Sequence, residues 1–248
     1  MSDEPAVRLD HVTKSFGSRR VLDDVSLDVP EGCGFAILGR SGTGKSVTLR
    51  HIIGLMRPDS GRVFVHGEEM SALSGEALSK ARRSIGFLFQ SAALFDSISV
   101  GENVAFPMRR HTKLPDREIR DRARQRLEAV GLGGEYDKMP ADLSGGMRKR
   151  AGLARALSLD PSLLLVDEPS AGLDPITTEE IDDLLLRLKE ESGTTLVVVT
   201  HNIPSARKLG DQLVMLHEGR IIAQGTVEDL ERSEHEMVRT FMMSENAG

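Results

Sequence analysis

The sequence predicts an α/β fold: a mostly parallel sheet with helices on both faces, an antiparallel β edge at the N-terminus and an inserted α-helical subdomain. Three observations carry this. Short apolar runs at Gly34–Leu38, Ile85–Phe89, Leu163–Val166 and Thr195–Thr200 have the length and make-up of strands buried on both faces. A glycine-rich stretch, Gly39-Arg40-Ser41-Gly42-Thr43-Gly44-Lys45-Ser46, joins the first of these runs to Val47, Leu49, Ile52, Ile53 and Met56, which fall at helical spacing. Residues 91–160 then turn to helical periodicity before strand character returns. The expected organisation is a core built from residues 1–90 and 161–248, with residues 91–160 inserted into it.

In chain order, the first thirty residues read as the antiparallel edge. Val7 to His11 alternates apolar and polar, and Val25, Leu27 and Val29 repeat the pattern of a half-buried strand. Phe16, between them, is either a ring for an adenine to stack on or a buried core or edge aromatic. Pro30-Glu31-Gly32 is a turn leading into the first buried strand.

The stretch from Gly39 to Ser46 fits G-x-x-x-x-G-K-[ST], the phosphate-binding P-loop, and so defines a P-loop NTPase core. Glycines let the backbone curl with its N–H groups inward, a concavity that suits an anion. The following helix aims the positive end of its dipole at the same point. Lys45 supplies a point charge for the β- and γ-phosphates, and the Ser46 hydroxyl can hold Mg²⁺ beside them. ATP and Mg²⁺ are therefore the expected ligands, with Gly39, Arg40, Ser41, Gly42, Thr43, Gly44, Lys45, Ser46 and Val47 around the phosphates.

Arg62–Val65 is a further strand. Ile85–Phe89 is expected to end at Gln90. A polar residue at the carboxyl end of such a strand points into the ligand crevice, so Gln90 either reaches Mg²⁺ or a water, or is a surface residue. In the helical block, Ile119, Ala123, Leu127 and Val130 share one face, with Gly131 as C-cap. Leu94, Phe95, Ile98 and Phe106 are either a docking surface or the block's own core. A helix beginning at Ser144 follows. Ser144, Gly145 and Gly146 at a helix start make a second anion site, or a plain N-cap.

Leu163 to Asp167 is four apolar residues and an Asp, the Walker B arrangement, and Asp167 can hold the Mg²⁺ shell. Glu168, at the strand end, is placed to act as general base on a water. Asp174-Pro175 is an N-cap followed by Pro at the first helical position, opening a helix with Ile181, Leu184, Leu185 and Leu188 on one face. Thr195–Thr200 ends at His201. Gln212–Leu216 and Arg220–Gln224 form a hairpin around Glu218-Gly219, Thr226 to Met243 is mostly helical, and the last five residues are expected to fray.

Composition narrows the function. The 248 residues are 39% hydrophobic and 28% charged, a soluble globular balance. A net charge of −6 gives no footprint for nucleic acid and disfavours unaided binding to an anionic membrane. No run approaches the ~18 apolar residues of a membrane span. Met1 to Leu9 lacks a signal-peptide core. The single Cys33 excludes an internal disulfide, fits a reducing compartment and reads as a small core residue.

The order of these motifs resembles the ATP-binding cassette (ABC) ATPases. Phe16 matches the adenine-stacking aromatic, more often Tyr. Gln90 matches the Q-loop, and Leu143-Ser144-Gly145-Gly146-Met147 the LSGGQ signature, with Met147 where Gln is usual. Asp167 and Glu168 match Walker B and the catalytic carboxylate, Ser170–Asp174 the D-loop, and His201 the switch histidine that contacts the γ-phosphate. The resemblance implies ATP hydrolysis with Glu168, His201 and Lys45 as catalytic residues. It also implies a head-to-tail homodimer with two sandwiched ATP molecules and Ser144, Gly145, Gly146 and Asp174 near the nucleotide.

Phe89–Ser97, Glu102–Pro107, Arg109–Thr112 and the basic residues after Leu-Ser-Gly-Gly-Met look like the Mla/Mce-type lipid-transport ATPases. That implies a cytoplasmic subunit, peripheral on the inner membrane under an integral permease, which moves phospholipids across a bacterial envelope. A STAS-domain protein on the helical subdomain and an MCE-domain protein are the further partners implied. With Gly248 the last residue, little of the family's dimer-bridging C-terminal extension is expected. The same core would serve an importer of amino acids or another small solute, because the permease chooses the substrate. Non-transport members acting on ribosomes or DNA usually carry two cassettes or long coiled coils. This chain has one cassette and no heptads. A P-loop kinase does not require Leu143–Met147.

Overall fold

The computed structural model describes residues 4–244, so Met1–Asp3 of the N-terminal stretch and four of the five C-terminal residues expected to fray lie outside the described residues. The chain opens with strands β1 (Val7–Phe16) and β2 (Arg19–Val29), then β3 (Gly34–Leu38) and helix α1 (Lys45–Ile52). It continues through β4 (Ser60–Val65), β5 (Glu68–Glu69), α2 (Gly75–Ala81) and β6 (Ile85–Leu88). Helices α3 (Val100–His111), α4 (Asp116–Ala129) and α5 (Gly145–Ala156) come next. Strand β7 (Leu163–Asp167), α6 (Pro175–Ser192), β8 (Thr195–Thr200) and α7 (Ile203–Leu209) return to the sheet. The hairpin β9 (Gln212–His217) and β10 (Arg220–Gly225) and helices α8 (Val227–Glu231) and α9 (Glu236–Met243) complete the described residues.

The main sheet has the order β10-β9-β3-β8-β7-β6 and is parallel except for the β9–β10 hairpin. Every residue of β3, β6, β7 and β8 is buried, as continuous apolar runs require when both faces are covered. The antiparallel edge is a sheet of its own, in the order β2-β1-β4-β5, so it draws in the strand around Arg62–Val65 from beyond α1.

The parallel sheet divides the apolar interior. Period 2 sends Leu163, Leu165, Val197 and Val199 to one face, where they pack with the N-terminal strands and α1. Leu164, Val166, Leu196 and Val198 point to the other, where they meet Val104, Met108, Ala123, Leu127, Leu153 and Leu185 from the helices. Each fully buried Leu, Val or Ile contributes ~1.5–3 kcal/mol. A third cluster joins Ala36 and Leu38 to Ile203, Leu230, Val238 and Phe241 under the C-terminal helices. Cys33 is buried beside β3, its thiol pushed up to about 11 by burial.

The structure corrects some boundaries. Strand β6 stops at Leu88, so Gln90 stands two residues beyond it, in an exposed turn. Helix α3 begins at Ser99, whose hydroxyl accepts from Glu102 N, and it runs through Pro107. It therefore takes Phe106 onto a helix, with 46% of the residue exposed, while Phe95 ahead of it is 45% exposed. The two rings face each other at 5.0 Å between centroids. Leu94 is partly buried against the helical core.

Helices α6 and α7 meet through a buried hydrogen bond and, at the surface, the Lys208–Asp183 ion pair at 2.7 Å. Ser205 Oγ donates to Asp182 Oδ2 at 2.6 Å, both residues being buried. Burial pushes the Asp182 carboxyl up to about 6, against the lowering effect of the Ser205 hydroxyl. A carboxyl raised in the folded chain favours folding when protonated; that contribution is complete below the ordinary carboxylate range and is lost as pH rises through 6. Asp182→Asn removes the titration. Relative to wild type, its unfolding free energy is expected to gain ~2 kcal/mol between about pH 4 and about pH 7, read from urea denaturation. A pH-independent difference would mean that Asp182 titrates normally.

Candidate functional site

Parallel register builds the site. Leu38 pairs with Thr200 and Asp167 with Val199, so β3, β8 and β7 end at one level. The residues that leave these ends are the glycine-rich loop, His201 and Glu168.

The loop from Gly39 curls into α1, whose first residue is Lys45. Gly44 has φ 107°, and a Cβ there would lie 2.7 Å from Val21 O, so glycine is needed both for conformation and for space. Thr43 Oγ1 donates to Arg40 O at 2.9 Å and closes the turn. Lys45, 5% exposed, donates to Gly39 O at 2.7 Å and Arg40 O at 3.1 Å. Its ammonium is also 3.4 Å from Glu168 Oε1. Ser46 Oγ donates to Asp167 Oδ1 at 2.7 Å.

Asp167 is 6% exposed, and burial raises its carboxyl above the ordinary range; the adjacent Glu168 adds to this and the Ser46 hydroxyl opposes it. Glu168 has φ 47°, a left-handed backbone rare for a residue with a side chain. The turn is held by Glu168 N donating to Val199 O at 2.9 Å and by Ala171 N donating to Glu168 O at 3.2 Å. His201 Nδ1 comes within 2.9 Å of Glu168 Oε2, but off the hydrogen-bond direction, so this buried oxygen keeps no hydrogen-bond partner.

Lys45, Ser46, Glu168 and His201 line one cleft of 390 Å³ with Phe16, Ser41, Gly42, Gly44, Val47 and Gln90, and Asp167 lies behind Ser46. Phe16 is 47% exposed there, which removes the buried-aromatic reading. Arg40 and Thr43 belong to the loop's own bonding. The signature lies elsewhere. Ser144 caps α5, its hydroxyl accepting from Met147 N at 3.2 Å, and neither it nor Gly145 or Gly146 lines the cleft. Gly146 is required by packing: a Cβ would lie 2.5 Å from Thr177 Cγ2 at the start of α6. Asp174 also stands apart. Its Oδ1 accepts from Ile176 N at 3.1 Å and Thr177 N at 3.0 Å, and its Oδ2 from Thr177 Oγ1 at 2.6 Å, so the whole carboxylate caps α6.

Two cleft-side residues have no signal in the sequence pattern. Arg19 pairs with Phe16 across the β1–β2 turn and donates to Gly42 O at 3.0 Å. Lys149, one turn into α5, is 5% exposed and donates to Glu168 O at 3.0 Å. Burial lowers its pKa, opposed by Asp167 and Glu168. The run Arg148-Lys149-Arg150 reads as a solvated face, and only the fold turns its middle member inward.

A buried lysine, a serine hydroxyl and a carboxylate at a glycine-rich helix start suit a triphosphate and a hard cation, and a second carboxylate and a histidine stand beside them. Residues 22–171 match the family described as ABC transporter, and the chain belongs to the ABC transporter ATPases. It binds ATP and is an ATPase of the ABC type. The probable ribonucleotide transport ATP-binding protein mkl of Mycobacterium leprae is 44% identical over 243 residues, 98% of this chain and 70% of the relative. The intermembrane phospholipid transport system ATP-binding protein MlaF of Haemophilus influenzae is 40% identical over 242 residues, 98% of this chain and 92% of the relative. MlaF of Escherichia coli K12 is 41% identical over 231 residues, 93% and 86% of the two chains. Among solved structures, a dimeric ATP-binding cassette in a post-hydrolysis state with ADP and Pi superposes with a TM-score of 0.83 at 36% identity, covering 89% of this chain and 98% of that one.

Lys149 ties α5 to the Glu168 turn. Lys149→Met should lower kcat ~10-fold, through a displaced Glu168, and cost no more than ~1 kcal/mol of stability, because Glu168 O keeps its bond from Ala171 N. Steady-state ATPase assays and denaturant unfolding measure both. Unchanged kcat would separate Lys149 from the turn.

Proposed function

We propose that the chain is the ATP-hydrolysing subunit of a transporter that moves phospholipids between the membranes of a bacterial envelope. The observation that carries this is the near end-to-end correspondence with the MlaF proteins, 92% of the Haemophilus influenzae relative. The mkl relatives, named for ribonucleotide transport, are matched over 70% or less of their length. Reconstitution in proteoliposomes with the permease that co-purifies tests the choice. Transfer of a fluorescent phospholipid, dependent on ATP, is expected; movement of a labelled ribonucleotide instead would reverse the assignment.

In this reading the loop N–H groups from Gly39 to Val47 cradle the phosphates, and Phe16 stacks on the adenine. Lys45 exchanges the Gly39 and Arg40 carbonyls and Glu168 for the β- and γ-phosphates. The site offers hard oxygen donors, a set that suits Mg²⁺: Ser46, Asp167 and Gln90 would hold it. Bound there, the ion neutralises charge on the phosphates. Glu168, released from Lys45, orients and deprotonates the attacking water through its otherwise unpartnered Oε2, and His201 supports the γ-phosphate.

Ser144, Gly145 and Gly146 lie outside their own chain's cleft, so this reading gives them to a second chain: a head-to-tail homodimer in which each signature closes the partner's site. Asp174 contributes by capping α6. Residues 1–90 and 161–248 act as the ATP-binding core and residues 91–160 as a helical subdomain. The exposed Phe95–Phe106 pair on the latter docks an integral permease, which keeps the subunit on the cytoplasmic side of the inner membrane. A STAS-domain protein on the helical subdomain and an MCE-domain protein on the permease complete the assembly.

Glu168→Gln should retain ATP binding while turnover falls by at least ~10²-fold, as expected for loss of a general base; near-normal turnover would remove Glu168 from that role. Phe95→Asp should abolish co-purification of the permease with little change in thermal midpoint, because the ring is already half exposed. A folding defect would instead assign Phe95 to the core.

A further inference from the structure

Asp182 is a buried carboxylate that the site described above does not use. It is 4% exposed, and its Oδ1 has no hydrogen-bond partner. The charged groups around it do not neutralise it. Lys208 on α7 attracts it but is engaged by Asp183 at 2.7 Å, and Asp183 and Glu179 on its own helix repel it. Leucine or valine would fill the position at lower cost, because a half-satisfied buried carboxylate is unfavourable. What it does make is the 2.6 Å bond from Ser205 Oγ to Oδ2.

The place of that bond gives it a consequence. Glu168 and His201 directly follow β7 and β8, and each lies where the chain leaves the sheet. Glu168 is still tied by its N–H to Val199 O. The main chain of His201 is bracketed by its neighbours: Asn202 N donates to Thr200 Oγ1 at 3.0 Å, and Asn202 Oδ1 accepts from Ser205 N at 2.9 Å. The orientation of His201 therefore follows from how the first turn of α7 is seated. Ile203 and Ala206 press that turn onto the sheet. Apolar packing is non-directional and leaves rotation of the turn open. The Asp182–Ser205 bond supplies direction, and it comes from α6, the helix that begins seven residues after Glu168. Asp182, Ser205 and His201 line the same groove between the two helices.

We propose that Asp182 is a positioning residue for ATP hydrolysis: by accepting the Ser205 hydroxyl it sets the first turn of α7 and holds His201 against Glu168. This rests on the roles given above to Glu168 and His201. The bond couples the element that follows one of them to the element that follows the other, so the spacing of the pair is maintained from outside the sheet.

The test uses the full chain and five variants. Asp182→Leu and Ser205→Ala should each lower kcat ~10-fold with KM for ATP within about twofold, and the double variant should be no slower than either single one. Asp182→Asn, which keeps an acceptor for Ser205, should restore kcat to within about twofold of wild type. Thermal midpoints should stay level or rise in Asp182→Leu, so the slow variant is not the unstable one. In ¹³C-histidine NMR, the His201 ring signal, assigned with His201→Gln, should shift in Asp182→Leu and Ser205→Ala and stay in place in Asp182→Asn. If Asp182→Leu folds poorly, Ser205→Ala, which loses one hydroxyl, gives the same readings. Wild-type kcat in Asp182→Leu and Ser205→Ala overturns the proposal. So does an Asp182→Asn as slow as Asp182→Leu, or a kcat loss that tracks a loss of stability. A normal rate in His201→Gln, with its ring signal still moved by Asp182→Leu, would overturn the role of His201 and leave the tie intact.

Discussion

The site depends on the parallel register of three strands. With Leu38 level with Thr200, and Asp167 level with Val199, every chain segment that leaves β3, β7 and β8 leaves at the same height. A shift of one residue in β7 would reverse its faces, sending Leu163 and Leu165 into the helical core and Asp167 away from Ser46. The complete burial of these strands holds the register, since each face has its own apolar cluster to satisfy. The chemistry at the rim is thus a consequence of packing in the middle of the sheet.

Without a ligand, the charges at this rim partner one another. Lys45 lies between two loop carbonyls and Glu168, while Ser46 bonds Asp167. Pairing of this kind makes burial of both signs tolerable, whereas leaving either alone would be strongly unfavourable. In the proposed function, triphosphate binding exchanges these partners, and its affinity reflects the difference between two sets of bonds. Lys149 lies outside this exchange: it holds the main chain of Glu168 and leaves the carboxylate free to change partners.

The parts of the fold and site that rest on local spacing were legible in the sequence. The buried strands, the glycine-rich loop with Lys45 and Ser46, the Asp174-Pro175 helix start and the Glu218-Gly219 hairpin each depend on residues within a few positions of one another. Gln90 was misplaced by two residues because the apolar run continues through Phe89, which packs against Phe87 at 4.2 Å after the strand has ended. Helix α7 escaped notice because seven residues with a proline near the start carry too little periodicity. Arg19, Lys149 and the Asp182–Ser205 pair act across long separations, and a charge inside a basic or acidic run looks solvated until the fold turns it inward. Ser144 reads as an anion site or a plain N-cap; that it caps α5 follows from local spacing, but its distance from its own chain's cleft is a matter of tertiary arrangement that spacing does not encode.

One feature of the helical block bears on mechanics. Asn103, fully buried, bonds Phe95 through both N–H and C=O and also reaches the carbonyls of Ile98 and Ser99. Arg155 grips the carbonyls of Ala92 and Ala93 just upstream. The segment carrying Phe95 is therefore welded at both ends, to α3, which bears the facing ring Phe106, and to α5. A push on those rings cannot dissipate as local flexing. It is delivered as torque on the two helices, which makes the loop a stiff lever with its fulcrum in the helical core.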